Sequence, residues 1–521
     1  MNRRRKLILI LAAIPVTAIL AAWISHAQLR ATNDDYLARL AAEGEPLTLD
    51  QILPPPVPVA DNRADTFLQA AALLAADTSP LKTNLLNSML PVGPGKAIPC
   101  SQLAQAPCYE TTNTWADLDQ ALAQNQPALT LLQQLADHPD LDFHIHYERG
   151  MGDDFDFSSL NVVGLKRAAQ FLSAASLIAL HDQNVAAAVQ DQQATLALVS
   201  ALQYQRFVIS DLVAMAILHI AQGPAWEILQ TPGLTEPRLA ALQHAWEHVD
   251  FLQSWQNSLA MERVTGEITL AQWRDSSGGL SHYLDLGKNA RISMGLKDDT
   301  DTWSAKLRTQ TKIFQWRYWW SYPDELRYLQ GYQTILAAAR SAAAHENIHA
   351  AITNQQAALA ALQIPDQSND AFFFSPESDF HYLLSQTVDD LSNVPTRVMN
   401  AEAARQITIT AIALQRCKLA TGRYPDRLAD LVPTFLATVP PDPVDGQPLR
   451  YRPQPDGTYL LYSIGENAVD DGGNPALDGQ VSTNGTPTTT SYYWQNHHAL
   501  DWVWPQPASA AGIDLVYPAA K

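Results

Sequence analysis

From residue 61 to residue 398 the chain repeats one pattern, long Ala-, Leu- and Gln-rich segments separated by short polar breaks. Apolar residues returning every three or four positions bury one stripe of a helix, and a short break makes each helix turn back beside its predecessor. The spacing predicts helices over 64–76, 115–137, 160–181, 185–203, 209–229, 236–265, 323–362 and 380–391. Only His181-Asp182-Gln183-Asn184 separates the third of these from the fourth. That hairpin is helical-repeat-like, but no period of about 34 residues runs along the chain. The expected fold is therefore mostly α, an irregular antiparallel helical array.

Composition agrees with this. With 521 residues, 47% hydrophobic and 17% charged, the chain can bury a core over almost its whole length and is not a disordered one. Acidic residues outnumber basic ones by 53 to 34, for a net charge of −19, and no Lys/Arg run follows the first six residues. Phosphate binding needs a basic footprint, so no nucleic-acid partner is expected.

The one dense basic run, Arg3-Arg4-Arg5-Lys6, precedes an uncharged stretch over residues 7–24, interrupted only by Pro15 and Thr17. At about 1.5 Å rise per residue such a stretch approaches a bilayer span, and the cations hold its start on the cytoplasmic side. Ser25-His26-Ala27 offers small residues for a signal peptidase, so residues 1–27 read as a retained anchor or as a cleaved signal. Both readings export the rest. The anchor reading is favoured, because a signal's apolar stretch is usually shorter, and it makes this a single-pass protein of a bacterial inner membrane, with its bulk in the periplasm among other envelope proteins. In that compartment Cys100 and Cys108, which flank a short Pro-containing segment, can close a disulfide. Cys417 falls on the apolar face of a predicted helix. Residues 28–60 are expected to be a linker, ending in a stiff spacer of Pro54, Pro55, Pro56 and Pro58.

The character changes at residue 399. Residues 399–421 read as one helix ended by Gly422, followed by a short helix around 428–432 and a hairpin of 449–452 with 458–463. A Ser/Thr-rich loop over 482–490 and a last strand over 501–504 complete the chain. Four motifs stand here in order: Thr421-Gly422-Arg423-Tyr424-Pro425, then Pro441-Asp442-Pro443-Val444-Asp445-Gly446, then Tyr459-Leu460-Leu461-Tyr462-Ser463, then Asp470-Asp471-Gly472-Gly473. Together they resemble the globular part of type II secretion major pseudopilins. The resemblance implies a small α+β pilin-like domain over 399–507, with 508–521 as a tail, and a link to type II secretion or pilus-type assembly. It also implies calcium in the last loop, at Ser463, Asn467, Asp470 and Asp471. The segment 7–24 has no acidic residue where a pseudopilin carries its helix Glu, so the domain carries over and polymerisation does not. Through 58–74, 160–229, Glu262-Arg263 and 316–329, the helical part is similar to envelope proteins that end in such a domain.

One motif points to an enzyme. His345-Glu346-Asn347-Ile348-His349 is an H-E-x-x-H; on a helix, a spacing of four puts both imidazoles on one face as zinc ligands, with Glu346 as general base. Glu377 and Asp379 are the oxygen candidates for a third ligand. The same letters fit a solvated Ala-rich helix, so a membrane-anchored zinc hydrolase is the alternative to a non-enzymatic protein. His144, His146 and Glu148 alternate as in a strand and precede Asp153, Asp154 and Asp156, which suits a mixed N/O metal set or a solvated acidic loop. Trp316, Tyr318, Trp319, Trp320 and Tyr322 form a sugar or lipid platform or, with Trp303 and Phe314, close a helical core. Trp494, Trp502 and Trp504 carry the same two readings. Glu262, Arg263 and Glu267 at helical spacing read as an ion-pair network. No G-x-S-x-G elbow, complete phosphate loop or dinucleotide fingerprint occurs.

Overall fold

Helix α1 (Arg3–Ala42) carries the apolar amino-terminal segment straight into the body, past residue 28 where a linker was expected. The computed structural model describes residues 3–83, 86–93, 95–108, 113–137, 140–152, 155–276, 279–281, 303–345, 347–362, 383–385, 387–476 and 499–508. A helical turn at Leu49–Ile52 and the extended residues 54–58 then lead into α2 (Ala64–Ala76).

The predicted helix 115–137 is two, α3 (Trp115–Gln124) and α4 (Gln126–Gln133). Asn125 breaks it: its Nδ2 donates to Ala121 O and to Asp77 Oδ1, and Pro127 in the first turn of α4 has no N–H to continue the ladder. Helices α5 (Val162–His181), α6 (Val185–Tyr204) and α7 (Val208–Leu229) pack on one another as the apolar stripes require. The predicted 236–265 also divides, into α8 (Glu236–Glu247) and α9 (Phe251–Asp275), because the Asp250 carboxylate caps a new start by accepting the Gln253 N–H at 2.9 Å. Helix α10 (Trp303–Gln315) continues through a π-helical turn, Trp316–Trp320, into α11 (Ser321–His345), followed by α12 (Ile348–Ala361). Of the predicted helix 380–391, Thr387–Asp390 is helical; 380–382 and 386 lie outside the described residues. Helix α13 (Val394–Thr421) ends at Gly422, whose φ of +81° favours a residue without Cβ.

Two small sheets complete the described chain. Strands β1 (Leu90–Gly93), β2 (Lys96–Ile98) and β6 (Gln506–Pro507) form one, with β2 and β6 parallel. The other is antiparallel, β3 (Arg450–Pro453), β4 (Tyr459–Ser463) and β5 (Trp502–Val503), with Arg450 opposite Tyr462. The carboxyl-terminal hairpin and last strand fall close to where the sequence puts them. The first sheet was not foreseen.

One contiguous apolar core runs from Phe67 through α5, α6 and α7 to Trp504. Helix α13 packs on α7, α8, α9 and α12, and its residues Met399, Ala403, Ile407, Ala411 and Leu414 are all buried. The expected domain boundary at residue 399 therefore falls inside a helix that both parts share. Among the described residues, Phe157–His181 and α7 are long and apolar enough to cross a membrane, but 61% and 67% of those windows lie buried inside the body. The disulfide expected between Cys100 and Cys108 is not formed: both are free thiols, as is Cys417. Cys100 is buried in a 3-10 turn, where its N–H donates to Glu227 Oε1 at 2.8 Å, and Cys108 pairs in a β-bridge with Leu86.

Candidate functional site

Charged side chains concentrate where α1, α9 and α11 meet. Close approach of α9 and α11 depends on Gly266, since a Cβ there would stand 2.1 Å from Tyr328 Oη. Across that contact Tyr328 donates to the main-chain O of Glu262 at 2.6 Å, and Tyr332 donates to Glu262 Oε2 at 2.9 Å. Glu262 Oε1 accepts the Val208 N–H at 2.8 Å. Burial outweighs these hydrogen bonds and pushes the Glu262 carboxyl up to about 7.

The fully buried Arg263 side chain does not pair with its sequence neighbours. Both terminal nitrogens donate to Glu45 Oε2 at 3.1 Å, and one also reaches Pro46 O at 2.8 Å. Arg340 and Gln333 from α11 bind the same Glu45 carboxylate. The Arg340 hydrogen bond, with those of Gln333 and the Arg263 charge, holds Glu45 down to about 2 against burial. Further along, Glu325 accepts from Asn33 at 2.7 Å and from Arg274 at 2.5 and 3.1 Å. Beside it, burial first and the Glu325 charge second push the Glu267 carboxyl well up, and its buried Oε1 has no hydrogen-bond partner among the described residues. Asp324 gathers the Trp316 indole N–H at 3.0 Å and the main-chain N–H groups of Leu383, Leu384 and Ser385 at 2.8, 3.1 and 2.9 Å.

Arg263 thus pairs with Glu45 just beyond α1, Glu262 bonds to Val208 and to α11, and Glu267 lies beside Glu325 of α11, in place of the network expected among the three. Glu45, Glu325 and Arg340 were not singled out in the sequence. No spacing rule connects residues about three hundred positions apart, so their signal is tertiary. Chemically the seam joins α1 to the body.

The H-E-x-x-H motif loses its single helix. α11 stops at His345 and α12 starts at Ile348, with Asn347 Oδ1 accepting the Ala350 N–H at 2.9 Å. The Ile348 N–H donates to Pro443 O at 2.8 Å and Asn347 Nδ2 to Asp445 O at 3.4 Å, so the break is where the 441–445 loop docks. One helix face for both imidazoles is therefore not available. Glu346, Glu377, Asp379 and the His345 side chain lie outside the described residues; His349 is half-buried.

His144, His146 and Glu148 do not form a strand. His144 has φ +54°, His146 Nδ1 lies 2.8 Å from Glu148 Oε1 and Tyr147–Arg149 is a 3-10 turn, so the alternation that would align the three is lost. Asp156 caps the turn Phe157–Leu160 by accepting the Ser158 N–H at 2.9 Å, while Asp153 and Asp154 lie outside the described residues. Among the described residues, no group of three His, Cys, Asp or Glu is gathered as for a metal ion.

In the carboxyl-terminal loop the centre is Asp442. It accepts Ser463 Oγ at 2.7 Å and the N–H groups of Ile464 and Val444 at 2.9 and 3.1 Å. Ser463 is thereby buried and its hydroxyl is taken up by Asp442. Asn467 donates to Asp471 Oδ2 at 2.9 Å, and Asp470 accepts from Tyr462 at 2.8 Å and from the Gly472 N–H at 3.0 Å. The buried Asp501 closes the loop by accepting the Gly473 and Asn474 N–H groups at 2.9 and 2.8 Å. Trp502 and Trp504 are core residues here, and Trp494 lies outside the described residues.

Between the end of α7, α13 and the β3–β4 turn lies a cleft of about 340 Å³, lined by Leu229, Gln415, Lys418, Tyr424, Tyr459 and Trp504. Lys418 Nζ stands 4.5 Å from the Tyr424 ring centre, and Tyr424 Oη donates to Gln415 at 3.1 Å. Burial pushes the Tyr424 phenol up to about 12. No family model, curated protein or solved structure matches the chain.

Proposed function

We propose that this is a non-enzymatic protein of the inner membrane, held by residues 7–24 and presenting its pilin-like carboxyl-terminal part to other envelope proteins of a type II secretion or pilus-type assembly. The observation that carries the reading is the continuity of α1. Its Arg3–Ala42 helix passes through residues 25–27 without a break, and its second half is fastened by Asn33 to Glu325, while Glu45 just beyond it meets Arg263 and Arg340. His26 is occupied as well, its Nδ1 2.8 Å from Tyr318 O. A body bound this tightly to the end of the apolar segment suits a retained anchor better than a cleaved signal. The basic flank stays in the cytoplasm and the acidic body is exported.

The resemblance at the carboxyl end supports the protein-contact role, and the cleft beside Gln415, Lys418 and Tyr424 offers a place for a partner segment. Calcium at Ser463, Asn467, Asp470 and Asp471 belongs to the same proposal, with Asp470 and Asp471 exposed. Fractionation of cells making the full chain tests the anchor. The protein is expected to stay with membranes through an alkaline carbonate wash and to be digested by protease added to spheroplasts. Release by carbonate, or protection from the protease, would overturn the reading.

A further inference from the structure

Among the described residues, large apolar side chains left exposed gather on one helix. Trp303 is 78% and Phe314 53% exposed, and Leu307, Tyr318 and Trp319 are exposed with them. At about 100° per residue Trp303, Leu307 and Phe314 lie within about 40° of one another. The Phe314 ring continues the patch to Tyr318 at 4.6 Å and to Trp319 at 5.8 Å. The other face of the same helix is satisfied by the body, where Ile313 and Trp316 are buried. The aromatic run thus divides between both readings of the sequence: Trp316 closes a core, and Trp303, Phe314, Tyr318 and Trp319 do not.

Charge and position add two independent observations. Residues 303–320 contain Lys306, Arg308, Lys312 and Arg317 and no acidic residue, in a chain of net charge −19. The patch also abuts the apolar segment of α1. His26, two positions beyond that segment, binds Tyr318 O and sets its ring 5.0 Å from that of Tyr322, while Trp23 beside it is 69% exposed. A cationic helix with an aromatic outer face, held at the mouth of a membrane helix, matches the interface of a bilayer bearing anionic headgroups.

We propose that α10 and the following π-helical turn lie in the plane of the membrane surface and bind anionic phospholipid, with Trp303, Leu307, Phe314, Tyr318 and Trp319 at headgroup depth. This rests on the anchored reading of residues 7–24 and adds a second contact that fixes how the body stands on the bilayer. A soluble protein partner or a second copy would have no reason to sit where α1 enters the membrane.

The test uses the full chain reconstituted into vesicles of phosphatidylcholine with phosphatidylglycerol, and quenching of tryptophan by lipids brominated near the headgroup. Trp23 reports the anchor; Trp303 and Trp319 report the surface helix. Quenching is expected to persist in W23F, to weaken in vesicles of phosphatidylcholine alone, and to be lost in W23F/W303F/W319F. All three tryptophans are exposed, and a circular dichroism spectrum matching wild type verifies that the variants fold. Quenching abolished by W23F alone would place α10 in water and overturn this proposal while leaving the anchor intact. Dimerisation through the patch in place of quenching would overturn it too, and no quenching in wild type would sink the anchor along with it.

Discussion

Glu45 is one carboxylate receiving two arginines and a glutamine, and the buried member of that set, Arg263, has no water to replace its partner. Arg263→Ala leaves the Glu45 charge with Arg340 and Gln333 only and opens a hole in the seam; the expected loss is about 3 kcal/mol, read from urea denaturation. Glu262 works in the opposite electrostatic sense. Its carboxyl is raised to about 7 from 4.5, so the folded state prefers the acid form. Its contribution to stability is full below pH 4.5 and is lost as pH rises to about 7. Glu262→Gln keeps a hydrogen-bonding group there without the titration. Its denaturation midpoint should therefore fall less than that of wild type between those two pH values, and an identical pH dependence would count against this assignment. In the sequence Glu262, Arg263 and Glu267 stand out as a cluster, and each is a buried ionisable group. Their mutual pairing is not what forms: Arg263 is neutralised by Glu45, just beyond α1, while burial pushes the Glu262 and Glu267 carboxyls up.

At the scale of elements, the helical stripes were legible and their interruptions were not. The 64–76 and 185–203 readings agree with α2 and α6 to within a residue or two, since a long apolar period outweighs any local preference. The breaks at Asp250 and Asn347 depend on single capping side chains worth about 1 kcal/mol each, too faint beside that period, and the one at Asn125 on its bond to Ala121 O and on Pro127. Gly266 marks the tightest helix contact in the seam. Gly266→Ala forces its Cβ against the Tyr328 ring, and an expected loss of about 1–3 kcal/mol should appear as a lower thermal midpoint. The new helix start capped by Asn347 bears on a functional question as well. With His345 and His349 on different helices, the purified chain is expected to hold less than one equivalent of zinc by metal analysis. Stoichiometric zinc lost in His345→Ala would revive the hydrolase.

For the whole molecule the decisive fact is that the larger of the two apolar clusters among its described residues joins both regions. Trp226 Nε1 donates to Pro505 O at 2.8 Å, β6 pairs with β2, and α13 is packed inside the helical array, so the two regions divided at residue 399 share their stability. Unfolding followed by calorimetry should therefore give one transition. Deleting residues 499–521 should lower its midpoint as a whole, and two separable transitions would mean independent domains. The sequence by itself determined the class of fold, most of the helical segments though not α10 or the second half of α1, the carboxyl-terminal hairpin and the polarity of charge along the chain. These follow from periodicity and composition, which are local. Tertiary structure alone decided which charges meet, which aromatic residues are buried, how the free cysteines sit and how the ends join. Those outcomes depend on pairs distant in sequence, and a buried charge takes whatever partner the packing brings within about 3 Å, not the one written beside it.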